Sequence, residues 1–345
     1  MDSQFTPTEP VMNAPLSDEV KKSARSQFSR LGLIYVIGAV LIAIVQNLAF
    51  AIVNQINPAL LSDTNYSLIT VMLPVYVIAM PLMLFLTHKF VPAKHIEKKK
   101  MTVGQWITVF LISFAGMYLS NIIGIILTQI IGLIKGSAVT NAMVDLSTST
   151  NLWVNVILMV LIAPVFEEFI FRKFLIDRTV KYGEGVAVLF SGLMFGLFHG
   201  NLNQFAYAFV LGIIFAYVYV KTGNVVYTII LHMVINFMGS VLGVLILKLS
   251  GLDGMLKVAD DTAALTTYMM SHLPQFMIYM VYCLILITAV IAGIILFIVN
   301  AKKIHFAQGE VTIPKGSRFS TTILNVGMIL YFAYWIVMII MQLFQ

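Results

Sequence analysis

Long apolar segments dominate this chain and restrict it to folds in which helices cross a membrane. They cover about 31–54, 67–87, 105–134, 152–175, 186–199, 203–220, 225–249, 274–299 and 320–344. At about 1.5 Å of rise per residue, roughly 20 apolar residues cross the hydrocarbon core of a bilayer. The chain is 60% hydrophobic and only 10% charged, which is typical of polytopic membrane proteins. We therefore predict an all-α, polytopic transmembrane helix bundle of about nine spans.

The charges of the loops predict orientation and domain arrangement. Lys and Arg concentrate in alternate loops, and only Lys135, Lys248 and Lys257 fall on the opposite side. Because positively charged short loops stay in the cytoplasm, this bias predicts a cytoplasmic N-terminus. Residues 1–29 are predicted to be a polar cytoplasmic tail, and residues 30–345 one transmembrane domain. The basic residues flank apolar segments, so the net charge of +6 indicates contact with a lipid bilayer and no nucleic acid partner.

The fourth apolar segment carries two adjacent glutamates, Glu167 and Glu168, followed by Arg172. A charged carboxylate at the centre of a transmembrane helix costs about 2.5–3.5 kcal/mol on insertion scales, so hydrophobicity does not place two there. Ionisable residues inside a span indicate a functional site by default. The i, i+4 spacing puts Glu168 and Arg172 on one face, where they can pair. Glu167 points about 100° around the helix, toward a different partner.

Two other segments carry polar pairs at the same spacing. His232 and Asn236 share a face of the seventh segment, and Phe195 and His199 share a face of the fifth. A carboxylate, two imidazoles and an amide suit hydrolysis of an amide bond, because the carboxylate can take a proton from water and the others can bind the developing oxyanion. Alternatively, Glu167, His199 and His232 hold a zinc ion that activates the water. The residues alone do not decide between the two routes.

These patterns resemble the three motifs of the CPBP (Abi) intramembrane proteases, a family that includes type II CAAX prenyl endopeptidases and bacterial proteins linked to bacteriocin processing and self-immunity. The motifs are Glu167-Glu168-x-x-x-Arg172, Phe195-x-x-x-His199 and His232-x-x-x-Asn236. The resemblance covers about residues 150–240, the predicted catalytic core. It implies that Glu167 activates the attacking water, with support from Glu168 and Arg172. It also implies that His199, His232 and Asn236 position water, bind metal or stabilise the oxyanion.

The resemblance further implies a peptide or protein substrate at the membrane and a multi-pass protein of the bacterial cell membrane. Two other interpretations stay open. One is a non-catalytic bacteriocin-immunity or scaffold protein on the same fold, against which the intact motifs argue. The other is a proton-coupled transporter, because glutamates and histidines in spans also build proton relays, although the halves show no inverted repeat. The single cysteine, Cys283, excludes a cysteine-based metal site.

Overall fold

A computed structural model describes residues 18–139, 141–258 and 260–344, and all regular structure in these ranges is helical. Nine of the helices correspond in order to the nine predicted apolar segments. They are α1 (Asp18–Ile56), α2 (Thr64–Phe90), α3 (Val103–Lys135), α4 (Leu152–Tyr182), α5 (Glu184–Phe198), α6 (Leu202–Thr222), α7 (Val225–Leu249), α8 (Leu273–Ala301) and α9 (Val326–Leu343). All except α5 are long and apolar enough to cross a membrane. The all-α polytopic bundle is thus confirmed within the described residues, and the cytoplasmic N-terminus stays a prediction.

The first helix begins at Asp18, inside the segment 1–29 that the sequence suggested as a polar tail. Its early turns bury Gln27 and Phe28. The Nε2 atom of Gln27 donates a hydrogen bond to the carbonyl oxygen of Arg178 at 2.5 Å. This part of the tail is therefore a packed extension of α1, because one face of a mostly polar sequence finds partners on α4. The tail residues before Asp18 lie outside the described residues.

Two extended connections, about residues 91–102 and 302–314, cross the end of the bundle at which α4 finishes. The backbone N–H of Lys94 donates to the carbonyl oxygen of Asp177 at 2.5 Å. The Nζ atom of Lys94 lies 2.7 Å from Oε1 of Glu310, which links the two connections. Together these contacts tie the connections to the C-terminal end of α4.

Three short helices occupy connections that the sequence suggested as loops, and a fourth, Arg318–Thr322, overlaps the start of the ninth predicted segment at residue 320. The first three are Ala142–Ser149, Leu252–Lys257 and Thr262–Ser271. Two of them lie within the predicted loop 250–273, where polar capping residues such as Asp261 start a helix without a long apolar run. The predicted segment boundaries are therefore less accurate than the number of segments.

Helices α5 and α6 approach each other closely, and their contact depends on glycines. A Cβ added at Gly212 would lie only 2.8 Å from the Cα atom of Gly192. A Cβ added at Gly196 would lie 3.0 Å from the Cβ atom of Phe209. Small residues allow helix backbones to approach closely inside a membrane bundle. This contact fixes the position of α5, whose C-terminal end carries one of the predicted site histidines.

Candidate active site

Helix α4 presents the two adjacent glutamates between two π-helical turns, Val156–Ile162 and Phe169–Phe174. Pro164 follows the first of these turns. A proline lacks the N–H of a regular helical hydrogen bond, and a wider turn accommodates that loss. In the second turn, the carbonyl oxygen of Ile170 accepts a hydrogen bond from the Tyr35 hydroxyl at 2.7 Å. The glutamates thus lie on a short α-helical stretch whose two ends are both irregular, a feature that is frequent at functional sites.

Glu168 and Arg172 form a completely buried ion pair, and neither side chain has exposed surface. The Nη2 atom of Arg172 donates to Oε1 of Glu168 at 3.2 Å. Its Nε atom lies 3.0 Å from Oε2, an electrostatic contact in which the N–H is not aligned as a hydrogen bond. Nη1 donates to Oγ of Ser191 at 3.0 Å, and the guanidinium lies 4.5 Å from the centre of the Phe195 ring. These contacts explain how both charges are tolerated, because a buried charge requires pairing and hydrogen bonds.

His232 of α7 lies between the two glutamates. Its Nδ1 atom is 3.0 Å from Oε1 of Glu168, and its Nε2 atom is 3.8 Å from Oε2 of Glu167. The carboxylate of Glu168, paired with Arg172, can only accept, so it fixes the proton of His232 on Nδ1 and leaves Nε2 for another partner. The 3.8 Å gap is too long for a direct hydrogen bond and has the length that one bridging water spans. Glu167 keeps 14% of its side chain exposed and is the more accessible carboxylate.

His199 directly follows α5 and joins the site through Phe195. Its Nδ1 atom lies 2.9 Å from the carbonyl oxygen of Phe195. That oxygen can only accept, so Nδ1 carries the proton and Nε2 is an acceptor in the neutral imidazole. The Phe195 ring lies edge-on to both imidazoles, with centroids 4.8 Å from His199 and 5.8 Å from His232. The two imidazoles therefore flank one aromatic ring, and each has Nε2 left for water, substrate or metal.

Asn236 lies one turn after His232 and belongs to a small polar network. Its Nδ2 atom donates to the carbonyl oxygen of Met159 at 2.8 Å, which leaves the second N–H of the amide for another acceptor. The carbonyl oxygen of Asn236 accepts from Oγ of Ser240 at 2.7 Å. The Nδ2 atom of the buried Asn155 in turn donates to the carbonyl oxygen of Ser240 at 3.2 Å. The bond to Met159 of α4 orients the Asn236 side-chain amide, whereas the bonds of Ser240 and Asn155 are to backbone carbonyl oxygens of α7.

The zinc alternative requires Glu167, His199 and His232 to act together as ligands. Both imidazoles have Nδ1 bonded to an acceptor and Nε2 available, which is the usual pattern for metal-ligating histidines. Within the described ranges, however, no group of three or more His, Cys, Asp or Glu side chains is close enough together to hold a metal ion. The donor chemistry suits a divalent metal, but the arrangement does not supply a three-ligand site.

Of the six predicted site residues, four form one connected cluster, namely Glu167, Glu168, Arg172 and His232. His199 and Asn236 lie beside this cluster, and in the described part of the chain neither donates to or accepts from a glutamate. The structure therefore brings the three motifs into one region, and the chemical role of each residue stays a prediction.

Sequence reasoning missed Ser191, whose hydroxyl accepts from Arg172 and donates to the carbonyl oxygen of Phe171 at 2.7 Å. Asn155 is a second polar residue near the site that the motifs do not include. It is completely buried, and its Oδ1 atom accepts from the Thr150 hydroxyl at 2.5 Å. The only available signal was that polar side chains inside spans require partners. Sequence cannot name such partners when they lie on another helix.

Residues 149–238 match the family model described as "Type II CAAX prenyl endopeptidase Rce1-like". The matched segment begins two residues before Asn151, the N-cap of α4, and ends within α7. It contains all six predicted site residues. The chain has no significant match among curated proteins or among solved structures. The match confirms the resemblance to CAAX-type intramembrane proteases that the three motifs indicated.

Proposed function

We propose that this protein, a multi-pass chain with an Rce1-like segment, is an intramembrane endopeptidase that hydrolyses a peptide bond in a membrane-associated peptide or protein. The observation that carries the proposal is His232 held between two non-equivalent glutamates. Glu168 is buried and paired with a cation, whereas Glu167 is accessible and has no cation as close to it. One carboxylate can therefore orient the imidazole while the other accepts a proton from water.

In the proposed first step, a water molecule bridges Oε2 of Glu167 and Nε2 of His232 and donates a hydrogen bond to each. Glu167 takes one proton as the water oxygen forms a bond to the carbonyl carbon of the substrate. Glu168 holds the proton on Nδ1 of His232, so that Nε2 keeps its lone pair toward the water. Arg172 keeps Glu168 as an acceptor, and it positions the site without touching the substrate.

In the second step, the carbonyl oxygen of the substrate becomes an oxyanion and requires donors. The free N–H of Asn236 is the donor that we assign to it, because the other N–H is already bonded to Met159. The carbon–nitrogen bond then breaks, and the proton held by Glu167 passes to the leaving nitrogen. We assign to Nε2 of His199 the orientation of the leaving amine, since this atom is an acceptor.

No step in this scheme uses a metal ion, because the described donors do not converge as three ligands. Zinc, held by Glu167, His199 and His232, is the alternative. We expect peptide cleavage by the purified protein to be unchanged after treatment with a strong chelator. Loss of cleavage that zinc restores would contradict the metal-free scheme and would assign the three residues as ligands.

The decisive experiment is Glu167→Gln in the full-length protein reconstituted in lipid nanodiscs. Cleavage is measured with fluorogenic peptides that include a prenylated C-terminal peptide, a bacteriocin leader and a quorum-sensing peptide. We expect a loss of about 10²-fold or more, because general acid–base groups contribute about 10²–10⁴-fold. The matched control is Glu97→Gln, which removes one carboxylate from an exposed connection and should leave the rate unchanged.

A Glu167→Gln variant that cleaves at the unaltered rate would refute the proposed base. The two other interpretations predict different results with the same variant. An immunity or scaffold protein would cleave no peptide, and its protective effect in cells would survive the substitution. A proton-coupled transporter would move protons across a liposome membrane, and the substitution would stop that flux.

A further inference from the structure

A cleft of about 280 Å³ lies between the start of α1 and the segment that precedes α9. We call it the terminal cleft, because the first and last parts of the described chain form it. It is far along the chain from the glutamates of α4. Its lining residues are Lys21, Lys22, Arg25, Ser317, Ser320 and Thr321.

The lining combines positive charge with hydroxyl donors. Lys21 and Arg25 are at i, i+4 on α1 and share one face, with Lys22 beside them. Ser317 and Thr321 have the same spacing in the opposite wall. Lysine, arginine and hydroxyl groups together form the usual set of ligands for a phosphate group, whose oxygens accept hydrogen bonds.

Thr321 is the most informative residue of the terminal cleft. It is only 5% exposed as a residue, no described residue forms a hydrogen bond with its hydroxyl, and that oxygen keeps access to the open space of the cleft. The neighbouring Thr322 uses its hydroxyl to bond the carbonyl oxygen of Arg318 at 2.8 Å, and Ser320 bonds Ser317 in the same way at 3.1 Å. A hydroxyl that faces a positively charged cleft and has no protein partner is free to donate a hydrogen bond to an anion bound there.

The terminal cleft keeps a net positive charge when the acidic side chains near its lining residues are included. Asp18 is the one acidic side chain paired with a lining residue in the described chain, at 3.6 Å from the Nζ atom of Lys21, and that pair is exposed. Arg25 donates from Nη2 to the carbonyl oxygen of Leu324 at 2.6 Å, which joins the two walls without neutralising the charge. Lys22 has no carboxylate partner among the described residues, so the cleft can still bind an anion.

The position of the terminal cleft selects the source of that anion. The apolar part of α1 starts near Leu31, six residues after Arg25, which corresponds to about 9 Å along the helix. This distance places the cleft just outside the hydrocarbon core, in the headgroup layer of the membrane. Basic side chains at that level attract anionic lipids, and each contributes a measurable part of the affinity.

We propose that the terminal cleft binds the phosphate group of an anionic phospholipid headgroup. Lys21, Lys22 and Arg25 provide the charge, and Ser317 and Thr321 donate hydrogen bonds to the phosphate oxygens. The lipid thereby bridges α1 and the segment before α9. This site is separate from the proposed protease chemistry and does not depend on it.

The test compares nanodiscs of phosphatidylcholine with nanodiscs that contain phosphatidylglycerol, using the full-length protein and native mass spectrometry of retained lipid. We expect selective retention of phosphatidylglycerol, and an affinity at least about tenfold lower in the variant K21Q/K22Q/R25Q. The control variant K98Q/K99Q/K100Q removes three exposed lysines at the same end of the bundle and should retain the lipid. The uncharged pair S317A/T321V should weaken retention without any change in net charge, and it tests the site if the triple variant fails to fold.

Equal loss of lipid in the two triple variants would overturn the proposal, because it would indicate general surface attraction. Retention of phosphatidylglycerol no stronger than that of phosphatidylcholine would also overturn it. A third arm adds inorganic phosphate or glycerol 3-phosphate at increasing concentration. Displacement of the lipid only at concentrations far above its own supports the lipid assignment, whereas competition at equal concentration would assign the cleft to a soluble phosphate instead.

Discussion

Replacing Arg172 with methionine would leave Glu168 buried without its cation. Methionine retains much of the length of the arginine side chain and can still pack against Phe195 and Phe215, whose ring centres lie 4.5 Å and 5.8 Å from the guanidinium. Water cannot easily replace the lost partner, because Glu168 has no exposed surface. Removing one member of a buried ion pair costs about 3–5 kcal/mol. We therefore expect Arg172→Met to lower the free energy of unfolding by that amount.

The double variant Glu168→Gln with Arg172→Met removes both charges together. It loses the hydrogen bond from Arg172 to Ser191 and the cation–π contact with Phe195, which contribute about 1 kcal/mol each. The glutamine amide keeps an acceptor for Nδ1 of His232. We expect the double variant to lose only about 2 kcal/mol, less than either single variant. With about 3–5 kcal/mol lost in each single variant, the coupling energy between the two positions would be at least about 4 kcal/mol, above the usual range of about 0.5–3 kcal/mol.

The assay is denaturant unfolding of the full-length protein in detergent micelles, with the free energy of unfolding compared among the four proteins of the double-mutant cycle. Lys173→Met is the matched control, since Lys173 pairs with Asp177 at the same i, i+4 spacing and at 2.6 Å. That lysine side chain is 29% exposed, and the largely buried Asp177 keeps the hydrogen bond from the Tyr219 hydroxyl at 2.7 Å, so the loss of Lys173 should cost less than the loss of Arg172. Equal costs for Arg172→Met and Lys173→Met, or single losses that simply add in the double variant, would refute the account of a buried ion pair.

Two further changes test the packing around the site. Gly212→Ala should lower the free energy of unfolding by about 1–3 kcal/mol in the same assay, because the added Cβ would lie 2.8 Å from Cα of Gly192. In the control Gly239→Ala, the added Cβ meets no atom within 4 Å and should cost far less. Equal effects of the two substitutions would contradict the close contact of α5 and α6. Tyr35→Phe removes the donor to the carbonyl oxygen of Ile170, so it should lower the free energy of unfolding by about 1 kcal/mol. It should also lower kcat of peptide cleavage more than it changes KM. An unchanged kcat would show that catalysis does not depend on this hydrogen bond to the second π-helical turn.

Helical periodicity accounts for the part of the site that the sequence predicted well. The spacing of Glu168 and Arg172 predicted their pairing, and the structure confirms it at 3.0 Å. Glu167 was predicted to point toward a different partner, and the structure brings it to 3.8 Å from Nε2 of His232, an imidazole that also contacts Glu168 at 3.0 Å. The sequence could not predict which of the two imidazoles, His199 or His232, would lie between the glutamates. Periodicity fixes the faces of one helix, whereas the contact between helices depends on packing such as the glycine contact that positions α5.

The role of Arg178 shows where charge patterns mislead. Its position suggested a loop residue that contributes to the charge bias. It is buried instead, and its Nε atom donates to the carbonyl oxygens of Thr87 and Val91 at 3.1 Å and 2.9 Å. The carbonyl oxygen of Val91 lies past the end of the helix, where carbonyl groups lack intrahelical donors, whereas that of Thr87 also accepts from the backbone N–H of Val91 at 3.2 Å. A basic residue near a helix end can therefore serve the end of a neighbouring helix, which a count of loop charges cannot detect.

The site residues all belong to the Rce1-like segment, but the segment does not supply all the hydrogen bonds that hold them. The hydroxyl of Tyr35 on α1 donates to the carbonyl oxygen of Ile170, and the hydroxyl of Tyr331 on α9 donates to the carbonyl oxygen of Met194, each at 2.7 Å. Both tyrosines are buried, and both acceptors lie on helices that carry site residues. The loss of either hydrogen bond would cost about 1 kcal/mol. The helices outside the matched segment are therefore structural parts of the site, because they hold α4 and α5 in the positions that bring carboxylates and imidazoles together.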